Sequence, residues 1–184
     1  MTRIVAGAAK GRALAVPARG TRPTSDRARE ALFNTLAGLL DLDGARVLDL
    51  YAGTGAVGLE ALSRGAAHVT FVESDRTAAA TVQRNVDAVG LPGAVVVRTT
   101  VEAYLGRGPE APADFVYADP PYALDEYALA GVLTALAEPG WLTPAGIVVV
   151  ERSARGPEPR WPNVIQSVKQ KRYGEGLLWY GQRR

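Results

Sequence analysis

Asp119-Pro120-Pro121-Tyr122 closes an apolar run, Asp114-Phe115-Val116-Tyr117-Ala118, whose residue types read as a short buried strand. Two successive prolines end such a strand, fix φ and lack N–H groups, so carbonyl acceptors are left free at its tip. An exocyclic amine on an aromatic ring is a poor nucleophile because its lone pair is delocalised into the ring. Acceptors that draw both N–H hydrogens out of the ring plane restore its reactivity, and Asp119 with the Pro120 carbonyl is equipped for that task. Pro121 stiffens the ledge, and Tyr122 supplies a face on which a planar base would stack with its amine aimed at an electrophile. The plainer alternative is a proline-stiffened turn with Tyr122 as rim packing. An aromatic after the prolines, behind a cofactor-type loop, favours the chemistry.

That loop is Asp49-Leu50-Tyr51-Ala52-Gly53-Thr54-Gly55, which follows Ala45-Arg46-Val47-Leu48 and runs into Gly58 to complete a G-x-G-x-x-G pattern. Glu73 stands at the end of the next apolar run, His68-Val69-Thr70-Phe71-Val72. The pattern fits a nicotinamide dinucleotide, with the acid on a ribose, and equally fits S-adenosylmethionine. Asp49 discriminates between them. A carboxylate where the strand opens into the turn suits a ligand carrying an ammonium and a sulfonium, whereas a pyrophosphate prefers N–H groups with no nearby anion.

Composition bounds the rest. The chain has 184 residues with 47% apolar content, no cysteine and one histidine. It can bury a full single-domain core, and it excludes a disulfide framework, thiolate metal sites and a His-rich metal centre. His68 reads as the first residue of a strand. No apolar run is longer than a short strand, and Met1-Thr2-Arg3-Ile4-Val5 does not resemble a secretory leader, so the expected compartment is the cytoplasm. The net charge of +2 conceals a segregation. Residues 1–29 hold seven basic residues and one acid, residues 152–184 hold eight and two, and the middle holds six and sixteen. Two basic ends flanking an acidic body suit a protein whose ends grip a polyanion while its body grips a cation.

The elements that must position these residues follow from breakers and periodicity. Arg3-Ile4-Val5-Ala6 and Arg12-Ala13-Leu14-Ala15-Val16 flank a glycine-containing turn and predict a basic hairpin. Pro23-Thr24-Ser25-Asp26 opens a helix whose apolar stripe runs through Ala28, Leu32, Leu36, Leu39 and Leu40. Strands are predicted near 46–50, 68–73, 94–98, 114–118 and 146–151, with helices near 56–64, 75–89 and 124–137. The alternation predicts an α/β, doubly wound, mostly parallel sheet with ligands at the carboxyl ends of its strands, where Asp49, Glu73, Thr100 and Asp119 would converge. Two runs around Tyr173-Gly174-Glu175-Gly176 predict a closing antiparallel hairpin.

This order of motifs resembles the class I S-adenosylmethionine-dependent methyltransferases, and the whole chain resembles the RsmD-type 16S ribosomal RNA guanine-N2 methyltransferases. The amino-terminal block is the discriminating part: Arg3-Ile4-Val5-Ala6-Gly7 with Lys10-Gly11-Arg12-Ala13-Leu14, then Arg22-Pro23-Thr24-Ser25-Asp26-Arg27 leading a helix through Asn34. The resemblance implies a Rossmann-like methyltransferase fold with a seven-stranded sheet, and a division into a basic hairpin for RNA recognition at 1–24 and a methyltransferase domain at 25–184. It implies methylation of a small-subunit rRNA guanine, at position 966 in the usual numbering, on the 30S subunit or its assembly intermediate, by a monomer without metal. Carried onto this chain, Asp49, Gly53 and Gly55 would hold the methionine part of S-adenosylmethionine, Glu73 with Ser74 the ribose, and Thr100-Val101 the adenine edge. Members often carry Asp or Asn where Thr100 stands, which leaves the adenine amine to backbone or to Glu102. Asp119, Pro120, Pro121 and Tyr122 match in full, and Arg3, Lys10, Arg12, Arg19 and Arg22 would meet RNA phosphates. Other readings are a DNA adenine methyltransferase, for which the chain offers little recognition mass, a nicotinamide oxidoreductase, and a non-catalytic rRNA-binding assembly module.

Overall fold

A computed structural model of the chain describes residues 1–17 and 24–184. The predicted RNA contacts Arg19 and Arg22 lie outside the described residues. The chain opens with a minimal hairpin, β1 (Thr2–Arg3) paired antiparallel to β2 (Ala13–Leu14). Helix α1 (Asp26–Leu36) follows, its Ser25 hydroxyl accepting the Ala28 N–H at 3.1 Å. It is shorter than the apolar stripe suggests. Leu39 and Leu40 lie beyond its end, where Gly38 and Leu39 donate N–H groups to Thr35 and Leu36 in tightened final turns.

From there strands and helices alternate: β3 (Arg46–Leu50), α2 (Ala56–Ser63), β4 (His68–Val72), α3 (Arg76–Val89), β5 (Ala94–Val97), α4 (Val101–Leu105), β6 (Ala113–Ala118), α5 (Glu126–Ala137) and β7 (Leu142–Ser153). The chain closes with β8 (Ile165–Tyr173) and β9 (Gly176–Arg183). Seven strands form one sheet in the order β5-β4-β3-β6-β7-β9-β8. β3 to β7 are mutually parallel, and the final hairpin adds antiparallel strands beside β7. This is the doubly wound arrangement with a closing hairpin that the sequence predicts. Helix α4 has no counterpart among the predicted elements, and β7 begins four residues earlier than expected, running through Pro144.

Period-2 burial on both faces explains why the central strands are nearly all apolar. On one face Val47, Phe115, Tyr117, Ile147 and Val149 pack with Leu32, Phe33 and Leu36 of α1 and with α2 and α3. On the other, Leu48, Leu50, Val116, Ala118, Val148 and Val150 pack with α4 and α5. The amino-terminal segment shares the first of these cores, burying Ile4, Ala9 and Leu14.

Backbone bonding fixes the segment there. The Val5 and Ala6 N–H groups donate to the two carboxylate oxygens of Glu60 on α2, at 2.9 and 3.0 Å. Ser63 accepts from Ala9 and donates to the Ala6 carbonyl. A Cβ at Gly7 would sit 1.8 Å from the Ser63 carbonyl oxygen, so this approach requires glycine. Glu60 also meets Arg29 of α1 at 3.4 Å, both side chains wholly buried. The Asn85 side chain of α3 accepts from Ala15 N–H at 2.7 Å and donates to the Ala15 and Thr54 carbonyls, tying the segment after the hairpin to the glycine loop.

Glu60→Ala removes the buried acceptor of the Arg29 Nε–H and of two backbone N–H groups, leaving Arg29 with Asp26 and the Thr24 and Arg3 carbonyls. The expected loss is about 3 kcal/mol or more of stability, read as a fall in the urea midpoint. An unchanged midpoint would mean that the amino-terminal segment is held by its apolar residues alone.

Candidate active site

Each parallel strand of the sheet's centre ends on an acid or hands over to one. Asp49 lies within β3, Glu73 directly follows β4, and Asp119 directly follows β6. In-register parallel pairing, Leu50 with Val72 and with Ala118, sets these three ends side by side. Tyr51 then turns the chain with φ +58, a left-handed conformation that costs a non-glycine residue about 1–2 kcal/mol. The turn is over-determined: the Ala52 N–H donates to the Val72 carbonyl at 3.0 Å and the Gly55 N–H to the Ala52 carbonyl at 2.8 Å. The buried Tyr51 hydroxyl has no hydrogen-bond partner among the described residues.

The glycines have separate jobs. Gly53 has φ +60, and beside it space is open, a Cβ there meeting nothing nearer than the Tyr51 carbonyl at 4.0 Å. Gly55 and Gly58 are needed for packing, because a Cβ would lie 3.0 Å from Val82 and 2.3 Å from the Phe71 ring respectively. The Gly53 N–H donates to Glu73 Oε2 and the Asp75 N–H to Glu73 Oε1, each at 2.9 Å, so the Glu73 carboxylate is aimed by backbone. The Gly58 N–H, at the start of α2, donates to Asp49 Oδ2 at 2.9 Å.

The electrostatics of this cluster point to a cationic ligand. Asp49 is 1% exposed. Its carboxyl is pushed well above the usual range by burial first, against the lowering bond from Gly58, and further by Asp119 and Glu73. Asp119 is raised from 3.8 to about 8, by burial and then by Glu151, with Arg152 opposing. Acids in this condition are relieved by a positive charge set among them, and a sulfonium with an ammonium supplies two. S-adenosylmethionine therefore fits the donor set: Asp49 and the Gly53 turn for the charged end, Glu73 for the ribose hydroxyls.

Thr100 caps α4, its hydroxyl accepting the Ala103 N–H at 3.1 Å. Val101 is buried at the start of that helix, while Glu102 and Ser74 are exposed. Beyond β6, Pro120 is buried, and no group among the described residues donates to its carbonyl. Tyr122 is 77% exposed, free to meet a planar ring. The Pro121 carbonyl is already engaged by the Leu124 N–H at 2.9 Å.

Two residues of this region are absent from the sequence reading. Arg152, buried on β7, donates to the Leu124 carbonyl at 2.8 Å and pairs with Glu126 at 3.0 Å, holding the loop after the prolines. Glu151, one residue earlier, accepts from the Tyr117 hydroxyl and, at 3.5 Å, from Thr24. The signal was present: Glu151 ends the apolar run Ile147-Val148-Val149-Val150 just as Asp119 ends its own.

Of the basic residues expected on RNA, those described do not join this cluster. Arg3 and Lys10 line a separate cleft of about 370 Å³ with Asp26, Arg27 and Glu30. The Arg12 guanidinium donates to the Ala88 carbonyl at the end of α3, at 2.8 Å.

A protein-family model described as "Conserved hypothetical protein 95" matches residues 2–182. The Ribosomal RNA small subunit methyltransferase D of Escherichia coli strain K12 is 38% identical over 161 residues, 87% of this chain and 79% of that one. The chain belongs to this family. A solved protein from Thermus thermophilus shares 36% identity and a TM-score of 0.84, with 98% of each chain covered. A more distant structure, titled as a methyltransferase complexed with SAH, has 15% identity and a TM-score of 0.67 over 85% of this chain and 48% of that one, a likeness of fold. The sheet and its helices are the Rossmann-like methyltransferase fold.

Because the folded Asp119 carboxyl binds its proton more tightly than the unfolded one, its contribution to stability is complete below about pH 4 and is lost as pH rises through about 8. Across that window the wild-type protein should lose stability relative to Asp119→Asn, measured by denaturant unfolding at a series of pH values. Coincident profiles would show that the carboxyl titrates as if in water.

Proposed function

We propose that the protein transfers a methyl group from S-adenosylmethionine to the exocyclic N2 of a guanine in 16S rRNA, on the 30S subunit or its assembly intermediate. The observation that carries this reading is the convergence of Asp49, Glu73 and Asp119 at three adjacent strand ends, beside a Pro120 carbonyl to which no group among the described residues donates. Membership of a family that includes the small-subunit rRNA methyltransferase D proteins supports the substrate class. The cofactor supplies an electrophilic methyl on a sulfonium.

The residues divide the work. Asp49 and the Gly53–Gly55 turn hold the methionine portion, Glu73 and Ser74 the ribose, and Thr100-Val101 the adenine edge by backbone, since the Thr100 hydroxyl is committed to its cap. Asp119 and the Pro120 carbonyl accept from the two N2 hydrogens and localise the nitrogen lone pair, an interaction that strengthens as the new bond forms. Tyr122 stacks on the extruded base, and Pro121, clamped through Leu124, keeps the ledge stiff. A guanine N2 gives up one proton on methylation, and in this reading Asp119, ionised more readily beside a cationic cofactor, receives it. The segment 1–24 serves as the RNA-recognition element, with Arg3, Lys10 and Arg12, and Arg19 and Arg22 by sequence, on phosphates; the protein works as a cytoplasmic monomer without metal.

Glu73→Ala removes the acceptor of the ribose hydroxyls. Cofactor affinity by calorimetry should fall about tenfold or more, one hydrogen bond to a charged group being worth about 1.5–3 kcal/mol. Unchanged affinity would remove Glu73 from the site. Asp119→Ala should keep cofactor binding and lower the rate of methyl transfer to 30S particles by about 100-fold. Transfer at the wild-type rate would overturn the mechanism. Arg3→Ala with Lys10→Ala should weaken binding to 30S particles and reduce the log–log salt slope by about 0.7 to 0.9 for each phosphate no longer neutralised, measured by titration over a salt series. An unaltered slope would move RNA recognition elsewhere, to the exposed Lys169, Lys171 and Arg172 of β8.

A further inference from the structure

Glu151 has no part in the roles assigned above, yet it stands in the same strand-end row as Asp119. β6 and β7 are parallel, with Tyr117 opposite Val149 and Ala118 opposite Val150, so the next residues outward, Asp119 and Glu151, are lateral neighbours. Tyr117 and Val149 belong to the α1 face of the sheet. Glu151 lies on that face too, as its bond to the Tyr117 hydroxyl shows. Its Oε2 is spoken for by Tyr117 and by Thr24, the residue that leads into α1. Its Oε1 receives no hydrogen bond among the described residues and lies where a Cβ on Gly176 would come within 3.1 Å, so the glycine at the start of β9 leaves that oxygen room. One oxygen is anchored to Tyr117 of β6, and the other, on the Gly176 side, is an acceptor with no partner among the described residues.

An arrangement of acceptors only is a statement about bases. With a cationic cofactor beside it the Asp119 carboxyl would ionise more readily, and Asp119, Glu151 and the Pro120 carbonyl then present no donor. The Watson–Crick edge of guanine offers three hydrogens in a row, one on N1 and two on N2. Adenine presents a lone pair at N1 and cytosine one at N3, each facing a carboxylate with nothing to donate.

Resting on the guanine-N2 reading above, we infer that Glu151 accepts the N1–H of the target guanine through Oε1 and so selects guanine over other amino-bearing bases. Tyr117 and Thr24 are positioning residues that hold the opposite carboxylate oxygen. A site built to accept a specific N–H rejects an analogue that lacks it far more strongly than one that merely excludes a shape.

The test compares two substrates: 30S particles carrying guanine at the target nucleotide, and particles assembled from 16S rRNA carrying 2-aminopurine there. The analogue keeps the N2 amine and lacks the N1 hydrogen. The wild-type enzyme should favour guanine by about 100-fold or more in kcat/KM. Glu151→Ala should lose rate on guanine and little on 2-aminopurine, collapsing the ratio to within about tenfold. Tyr117→Phe, which keeps Glu151 but frees its anchored oxygen, should lower the same ratio by a smaller factor, and it provides the reading if Glu151→Ala does not fold. Equal losses on both substrates, or a ratio unchanged in either folded variant, would make Glu151 a structural acid and overturn the inference. No transfer to guanine by the wild-type enzyme would instead sink the guanine reading, and this inference with it.

Discussion

Like charge held at close quarters is the constraint around which this molecule is arranged. Parallel pairing in register cannot avoid bringing equivalent ends of neighbouring strands together, and here those ends are Asp49, Glu73, Asp119 and Glu151. Four carboxyls in a row repel one another and lose hydration on burial, two costs of the same sign. The fold offsets them only in part, and by donors more than by cations. Backbone N–H groups of Gly58, Gly53 and Asp75 meet Asp49 and Glu73, the Tyr117 hydroxyl meets Glu151, and Arg152 is largely committed to the loop beyond the prolines. Asp119 is left without a donor among the described side chains and holds a proton to about pH 8. A cationic cofactor is what such a row lacks, and the proposed base edge rich in N–H groups would answer the same electrostatic deficit.

The scaffold keeps that row rigid by making its supports serve twice. The Gly58 N–H that meets Asp49 belongs to α2, the helix whose Glu60 and Ser63 bond the amino-terminal segment. Asn85 of α3 links that same segment to the glycine loop through Thr54. Thr24, at the threshold of α1, reaches Glu151. Basic residues outside the acid row are thus carried on a segment fastened by its backbone to the elements that shape the cofactor turn. The amino-terminal segment and the elements that shape the glycine turn share one buried network, in which Glu60 and Arg29 have no exposure at all.

Much of this was legible in the chain. Strands whose apolar runs end on Asp49, Glu73 and Asp119 declare themselves because a buried parallel strand needs apolar residues on both faces and the acid marks where burial stops. The glycines at 53, 55 and 58 and the prolines at 120 and 121 restrict backbone conformation locally, so their meaning survives without a structure. Helix α4 escaped because five residues carry too little periodicity, and only the Thr100 cap marks it. The early start of β7 escaped because Pro144 reads as a breaker, although a proline is tolerated at an irregularity, and the β6–β7 register shifts between Leu142 and Ile147.

Sequence alone determined the doubly wound sheet, the glycine turn and the proline-stiffened ledge, since each is written in contiguous residues whose steric and hydrogen-bonding limits act within a few positions. The tertiary structure decided what depends on neighbours far apart in the chain. It showed that Glu151 stands beside Asp119, that Arg152 holds the proline loop across 28 residues, and that the segment between the two-residue strands β1 and β2 is fixed by bonds from Val5 and Ala6 to Glu60, more than fifty residues away. Nothing local distinguishes those acids and arginines from surface charges. Their roles arise from strand register and burial, which exist only once the sheet has formed.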